Sequence, residues 1–415
     1  MPLSPLRKSD ALQLLEGGQA LFPAMVKAFD GASTWIQLET YIFDFHGDGT
    51  RVAEALLRAA GRGVTVQVLV DGIGTDPLTA EWQQKFGEAG VKWCVYSPLA
   101  AGLGGLGLLM PDRWRRLHRK LCVVDQTMVF CGGINVLDDL YDPNHGELPA
   151  PRFDFSVAVT GPLAAEAADA MALLWWRVQA GYSARQRHLS AAWEKFRAAG
   201  YGGRTDTSEL AIPPATGGAS PGMSIPRAAL LLRDNLLNRS SIERAYRKAI
   251  GSARKEIIIA NAYFLPGGKL RRALMKAARR GVQVTLLLQG KYEYFMQYHA
   301  ARPVYGALLK AGVEIHEYEA SFLHAKVAVV DGHWATVGSS NLDPLSLLLA
   351  REANVVVENK AFAEDLRNRL LQAMAHHGRR MDPGAYGNRP LGQRLRDWLA
   401  YTLMRLALLV TGQRY

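Results

Sequence analysis

The sequence predicts an α/β protein of two pseudo-symmetric halves, each a mainly parallel mixed sheet flanked by helices, and three observations predict it. The chain has 415 residues, too many for one ordinary domain and enough for two of about 200. A strand, helix and strand frame occurs twice, at corresponding places in the two halves. Between the copies lies a stretch of linker composition, with Pro213-Pro214-Ala215-Thr216-Gly217-Gly218-Ala219-Ser220-Pro221-Gly222 at its centre. The chain therefore divides into a first half (1–202), a linker (203–226), a second half (227–385) and an amphipathic tail (386–415).

In chain order, Trp35-Ile36-Gln37-Leu38 is a short β-rich apolar run, and Ile257-Ile258-Ile259-Ala260 is its counterpart. Helical period follows: Ala55-Leu56-Leu57-Arg58-Ala59-Ala60-Gly61-Arg62-Gly63 matches Ala273-Leu274-Met275-Lys276-Ala277-Ala278-Arg279-Arg280-Gly281. Gly63 and Gly281 stand where a helix end needs positive φ. Val64 to Val70 and Val282 to Leu288 return to strand pattern, so each frame is a βαβ unit with parallel strands. Leu121-Cys122-Val123-Val124 and Val327-Ala328-Val329-Val330 are further strands. Helical segments around Ala164 to Arg177 and Gln186 to Ala199 close the first half. The tail from Arg394 to Val410 is rich in Leu and carries Arg and Trp; too short to cross a bilayer, it suits a helix lying in an interface.

A second repeat sits on the downstream strands. His118-Arg119-Lys120 is followed after four residues by Asp125, and after six more by Gly132-Gly133-Ile134-Asn135. His324-Ala325-Lys326 is followed at the same intervals by Asp331 and by Gly338-Ser339-Ser340-Asn341. Side chains alternate along a strand, so His118 and Lys120 project to one face, as do His324 and Lys326. One His-x-Lys pair at a strand end is ordinary surface chemistry. Two copies with identical spacing, each inside a repeated frame, are not.

This duplicated His-x-Lys-x4-Asp signature, with its trailing Gly-x-x-Asn, resembles the phospholipase D superfamily at every defining position. The resemblance implies one composite active site between the halves, to which each half supplies a histidine. One histidine attacks phosphorus while the other, protonated, delivers a proton to the leaving oxygen, and the roles reverse for an incoming alcohol. By the same resemblance His118 is the nucleophile, Lys120 and Lys326 hold phosphate oxygens, and Asn135 and Asn341 add amide donors. No metal or other cofactor is called for. A catalytic imidazole needs a carboxylate on its second nitrogen. In the family that acid follows each signature, and the candidates are Asp154, in Arg152-Phe153-Asp154, and Glu352, in Arg351-Glu352-Ala353. Asp125 and Asp331 belong to the catalytic signature, but they end their strands, and the family precedent makes them structural.

Asp331 through Ser346, Asn261-Ala262-Tyr263-Phe264-Leu265-Pro266-Gly267 and Leu38-Glu39-Thr40-Tyr41-Ile42-Phe43 are similar to bacterial cardiolipin synthases, most of all to the shorter B type that lacks two leading transmembrane helices. That similarity implies phosphatidyl transfer from phosphatidylglycerol or phosphatidylethanolamine to the free hydroxyl of phosphatidylglycerol. The expected partner is an anionic membrane surface and not nucleic acid, and the expected location is peripheral at the bacterial inner membrane, on the reducing cytoplasmic face that the cysteines below suit. Composition agrees. The formal charge of +11 suits a polyanionic partner, nucleic acid and an anionic membrane surface alike, and no run of about 18 apolar residues occurs. Cys94, Cys122 and Cys131, an odd set without CxxC spacing, argue against a disulfide framework and a zinc site. Leu99-Ala100-Ala101-Gly102-Leu103-Gly104-Gly105-Leu106-Gly107-Leu108-Leu109-Met110, followed by Arg113-Trp114-Arg115-Arg116, forms an apolar wedge beside a basic cluster, as a site drawing lipid from a bilayer would use. Tyr292, Tyr294 and Phe295 suit an aromatic rim or core packing. A hydrolase or a nuclease would use the same histidines on other phosphodiesters, and both alternatives stay open. A non-catalytic scaffold would have lost a histidine or lysine from one copy, and neither is lost.

Overall fold

The computed structural model describes residues 5–98, 116–142, 145–185, 226–234, 238, 240–291, 295–343 and 350–410. The linker up to residue 225, the helix expected at Gln186 to Ala199, the wedge at Leu99 to Met110 with Arg113, Trp114 and Arg115, and the residues Tyr292 and Tyr294 lie outside them, as does the side chain of Phe295.

The chain opens with β1 (Arg7–Lys8) and β2 (Ala11–Glu16), and then β3 (Trp35–Thr40), β4 (Thr65–Asp71) and β5 (Lys92–Tyr96) follow the helices Gly17–Asp30, Asp48–Gly61 and Ala80–Ala89 in turn. β6 (Lys120–Val124) and β7 (Met128–Gly132) form a hairpin, β8 (Tyr141–Asp142) and β9 (Gly146–Glu147) a small ribbon, and β10 (Phe155–Thr160) leads into the long helix Pro162–Arg185. The second half repeats the plan. β11 (Arg227–Arg233), β12 (Glu256–Asn261), β13 (Gln283–Gln289) and β14 (Glu314–Tyr318) are separated by the helices Ser241–Ser252, Gly268–Arg279 and Phe295–Lys310. β15 (Lys326–Val330), β16 (Trp334–Gly338) and β17 (Glu352–Glu358) follow, then the helix Lys360–His377, β18 (Gly378–Arg380) and the helices Pro383–Gly387 and Leu391–Val410. Gly63 and Gly281, at φ 91° and 88°, each stand one residue past the helix cap and turn the chain into the next strand.

The first sheet has the order β2-β10-β7-β6-β3-β4-β5, and the second β1-β11-β17-β16-β15-β12-β13-β14-β18. Both are mixed, as expected, but parallel pairing is narrower than the βαβ frames implied: among the described strands only β3-β4-β5 and β12-β13-β14 pair in parallel. The motif strands β6 and β15 enter antiparallel to β3 and β12, and each returns through a tight hairpin into β7 or β16. A parallel return would need a crossover of a dozen or so residues, and three-residue turns leave none.

Packing makes one body of the halves. The two sheets share an inner core in which Leu121, Val123 and Val157 meet Val327, Val355 and Ile258 together with the helices Pro162–Arg185 and Lys360–His377. The remaining helices cover the outer faces, Phe22, Leu56 and Phe86 packing with Ile36 and Val68 on one side, and Tyr246, Leu274 and Leu308 with Ile257 and Leu286 on the other. β1 does not join its own half. It pairs antiparallel with β11 at the edge of the second sheet, and the Ser9 N–H donates to the Pro226 carbonyl at 2.9 Å, so the segment 1–202 lends its first strand to the other sheet. All three cysteines are buried and free. No helix among the described residues is long and apolar enough to cross a membrane.

Candidate active site

The site forms where the two motif strands begin, and backbone bridges between the halves create it. Just ahead of β6, Leu117 bridges Arg351, the residue before Glu352; just ahead of β15, Leu323 bridges Phe153, the residue before Asp154. The His118 N–H donates to the Arg351 carbonyl at 3.0 Å and the Arg351 N–H to the Arg116 carbonyl at 2.8 Å. Likewise, the His324 N–H donates to the Phe153 carbonyl at 2.9 Å and the Phe153 N–H to the Phe322 carbonyl at 3.0 Å. Each histidine segment is thereby stitched to the acid segment of the opposite half.

The carboxylates are consequently exchanged. His118 Nδ1 lies 3.0 and 3.1 Å from Oε1 and Oε2 of Glu352, and His324 Nδ1 lies 2.7 Å from Oδ2 of Asp154. Both acids are buried, whereas the histidine side chains keep 18% and 20% of their surface exposed. A carboxylate on Nδ1 places the proton there and leaves the Nε2 lone pair for chemistry. The two acids are held differently. Asp154 Oδ1 accepts from the Phe155 N–H at 2.7 Å, while Glu352 Oε2 accepts from Ser339 Oγ at 2.5 Å. Gly133 occupies the place of Ser339 in the first copy, and a Cβ there would stand 2.3 Å from Asp154 Oδ1, so only glycine leaves that acid its room.

Lys120 and Lys326 are buried beside the histidines, each Nζ donating to the carbonyl of the histidine two residues earlier, at 2.7 Å for Lys120. Lys326 Nζ also stands 4.0 Å from Asp154. The Tyr41 ring lies 5.1 Å from the His118 ring and 5.4 Å from Lys120 Nζ. Burial pulls Lys120 down to about 7; Glu352 opposes the shift and Lys326 adds to it. Burial also lowers His118, against the pull of Glu352, and lowers His324 well below the ordinary imidazole value, with Lys326, Lys120 and His118 adding to the effect. Burial pushes Asp154 up to about 7, and Lys326 opposes it. Three basic groups, His118, His324 and Lys120, are thus held short of full protonation by burial, and an anion entering between them would relieve the penalty.

Asn135 and Asn341 are both buried near the start of the motif strands. Asn135 Oδ1 accepts from the Ile42 N–H at 3.2 Å, which turns its NH2 group away from that loop. Asp125 and Asp331 lie elsewhere, five residues along strands that rise about 3.3 Å per residue, so roughly 16 Å from the lysines. Asp125 accepts from the N–H groups of Ser33, Thr34 and Trp35 at 2.8 to 2.9 Å, and Asp331 from those of Arg254, Lys255 and Glu256 over the same range. Both stand at positive φ, 48° and 50°, and clamp the hairpin turn to the loop that enters β3 or β12. Burial works to raise their pKa values, but these backbone donors prevail and lower them.

Two buried ion pairs escaped the motif reading. Arg119, between His118 and Lys120 and therefore facing away from the cleft, pairs with buried Glu39 through two nitrogens, one at 2.8 Å. Arg116 pairs with buried Asp71, which also accepts from the Leu117 N–H at 2.8 Å and so steadies the approach to His118. A signal for the first pair existed: the second copy has Asn261 and Ala325 at the aligned positions, so both partners change together.

Two halves that face each other across one cleft, each lending a carboxylate to the other's histidine, define a phospholipase D-like protein. Residues 25–145 and 246–374 both match the family model described as "Cardiolipin synthase, PLD-like domain". The chain belongs to that family. It is 36% identical over 408 residues to cardiolipin synthase B of Salmonella typhi, and 36% identical over 410 residues to cardiolipin synthase B of Escherichia coli strain K12. Each match covers 96% of this chain and 89% of the relative. The fold is shared with a solved phosphatidylserine synthase from Haemophilus influenzae Rd KW20, at a TM-score of 0.69 and 13% identity over 98% of this chain and 97% of that one.

Proposed function

We propose that this protein is a cardiolipin-forming phosphatidyltransferase that works through a phosphohistidine. The observation that carries the reading is the exchanged pair of carboxylates, which leaves two histidines in one cleft with their Nδ1 atoms committed and their Nε2 atoms available. His118, the nucleophile by family resemblance, attacks phosphorus through Nε2 as the bond from phosphorus to the departing glycerol or ethanolamine oxygen breaks; protonated His324 supplies that oxygen with its proton. Neutral His324 then takes the proton of a phosphatidylglycerol hydroxyl, whose oxygen attacks phosphorus. The phosphorus–nitrogen bond breaks, releasing cardiolipin and restoring both histidines. Lys120 and Lys326 hold the non-bridging oxygens, and the NH2 groups of Asn135 and Asn341 add donors to the charge that develops there. The phosphodiester's own negative charge supports protonation of a histidine that burial disfavours.

The donor is phosphatidylglycerol or phosphatidylethanolamine, and the protein acts peripherally at the cytoplasmic face of the bacterial inner membrane. Its excess of basic residues supports attraction to anionic lipid. Purified protein supplied with phosphatidylglycerol, with and without phosphatidylethanolamine, should form cardiolipin identified by mass. Phosphatidic acid as the sole product would make the protein a hydrolase and overturn the proposal.

A further inference from the structure

The C-terminal helix Leu391–Val410 is apolar on two opposite faces, and among the described residues only one of them has a partner in the fold. Asp397, Ala400, Tyr401 and Met404 face the protein: Ala400 joins the outer core of the second sheet, and Tyr401 and Met404 pack against it. Asp397 is the helix's one acid, and it is already engaged, receiving His299 Nδ1 at 2.7 Å and Arg389 at 2.8 Å. On the other side Leu391, Leu395, Trp398, Leu399, Leu403 and Leu406 stand 47% to 79% exposed.

At about 100° per residue these six side chains fall within an arc of roughly 140°, centred about 180° from the buried face. Arg394 and Arg405 lie just beyond one border of the arc, and Arg396 just beyond the other. An apolar stripe edged with arginines on both sides, and with no acid among them, matches a bilayer surface, where acyl chains meet leucine and anionic headgroups meet guanidinium. It does not match a second copy of the chain, because self-pairing of the stripe would bring the arginine borders together with nothing to neutralise them. The same outer layer carries a basic groove between two neighbouring helices, lined by Arg244, Arg247, Lys248, Lys269, Arg272 and Lys276, which adds to the positive field.

We propose that this helix docks the protein on anionic membrane: it lies in the plane of the interface, its Leu and Trp stripe among the acyl chains and Arg394, Arg396 and Arg405 at the phosphates. The proposal rests on the lipid reading of the active site only for its biological purpose. The interaction itself is separable from turnover.

The test uses the full chain with vesicles of phosphatidylcholine alone or mixed with phosphatidylglycerol, read by co-sedimentation, and short-chain phosphatidylglycerol dispersed as monomers for turnover. The double variant Leu399→Ser/Leu403→Ser should bind mixed vesicles about tenfold or more weakly, equivalent to about 1.4 kcal/mol. Arg394→Gln/Arg405→Gln should lose the preference for phosphatidylglycerol. Both should keep wild-type thermal melting and turnover of monomeric substrate, because the altered side chains are exposed. His118→Ala should bind vesicles as the wild type does, so a failure of the catalytic proposal would leave this result standing. Undiminished vesicle binding by the leucine variant would overturn the inference, as would a wild-type dimer in sedimentation that this variant dissociates.

Discussion

Replacing Asp154 with Asn should disable the site more than the matching change at Glu352, and the reason lies in how each acid is held. Asp154 uses both oxygens as acceptors, Oδ1 from the Phe155 N–H at 2.7 Å and Oδ2 from His324 Nδ1 at 2.7 Å. An asparagine has one acceptor for these two donors. If its oxygen stays with Phe155, its NH2 faces His324 and donates to Nδ1, which moves the imidazole proton to Nε2 and removes the lone pair needed to accept a proton. Glu352 is more forgiving, because its second partner is the rotatable hydroxyl of Ser339, which can turn to accept instead of donate. A carboxylate-to-amide change in a serine-protease triad costs about 10,000-fold through the wrong tautomer, or about 5.4 kcal/mol of barrier. Asp154→Asn should approach that loss, whereas Glu352→Gln should cost on the order of 100-fold. Single-turnover cardiolipin formation, with thermal melting to verify the fold, measures both. Equal losses, or Asp154→Asn retaining a tenth of the wild-type rate, would refute the tautomer argument.

The pH dependence of kcat/KM should report Lys120. With its pKa at about 7, the positive charge that Lys120 is proposed to offer the phosphate oxygens is present below that pH and lost as pH rises through it, so kcat/KM should fall above about 7. Lys120→Arg keeps its charge at all these pH values and should abolish that limb at a reduced rate; a limb that persists would belong to another group. Arg119→Ala strands the buried carboxyl of Glu39 and should cost about 3–5 kcal/mol in urea denaturation. Adding Glu39→Asn copies the Asn261 and Ala325 pair of the second half and should restore most of the loss, and no recovery would show that the pair is not an exchangeable unit. Asp331→Ala removes an acceptor for three backbone N–H groups and forces alanine to φ 50°, which should lower stability by about 2 kcal/mol while kcat per folded molecule holds. Because those donors lower the Asp331 pKa against its burial, its contribution is complete at neutral pH and disappears as pH falls through the folded value, below the ordinary carboxylate range. A tenfold fall in kcat would return Asp331 to the chemistry.

The repeated halves, the βαβ frames and the two His-x-Lys strands were legible in the linear sequence, because each is a local pattern: period 2 in a strand, period 3.6 in a helix, and glycine at a helix end. The antiparallel entry of β6 and β15 was not, since the frames reveal direction only where a helix returns the chain. Exchange of the acids was further out of reach. Asp154 and His324 are separated by 170 residues, and Glu352 and His118 by 234. Local spacing names both acids as partners of histidines but does not say which serves which. The bridges at Leu117 with Arg351 and at Phe153 with Leu323 decide it, because they form only when one half packs against the other. Sequence alone determined that two equivalent half-sites exist. Tertiary structure decided that neither is complete by itself, because the carboxylate that contacts each histidine reaches it only across the interface.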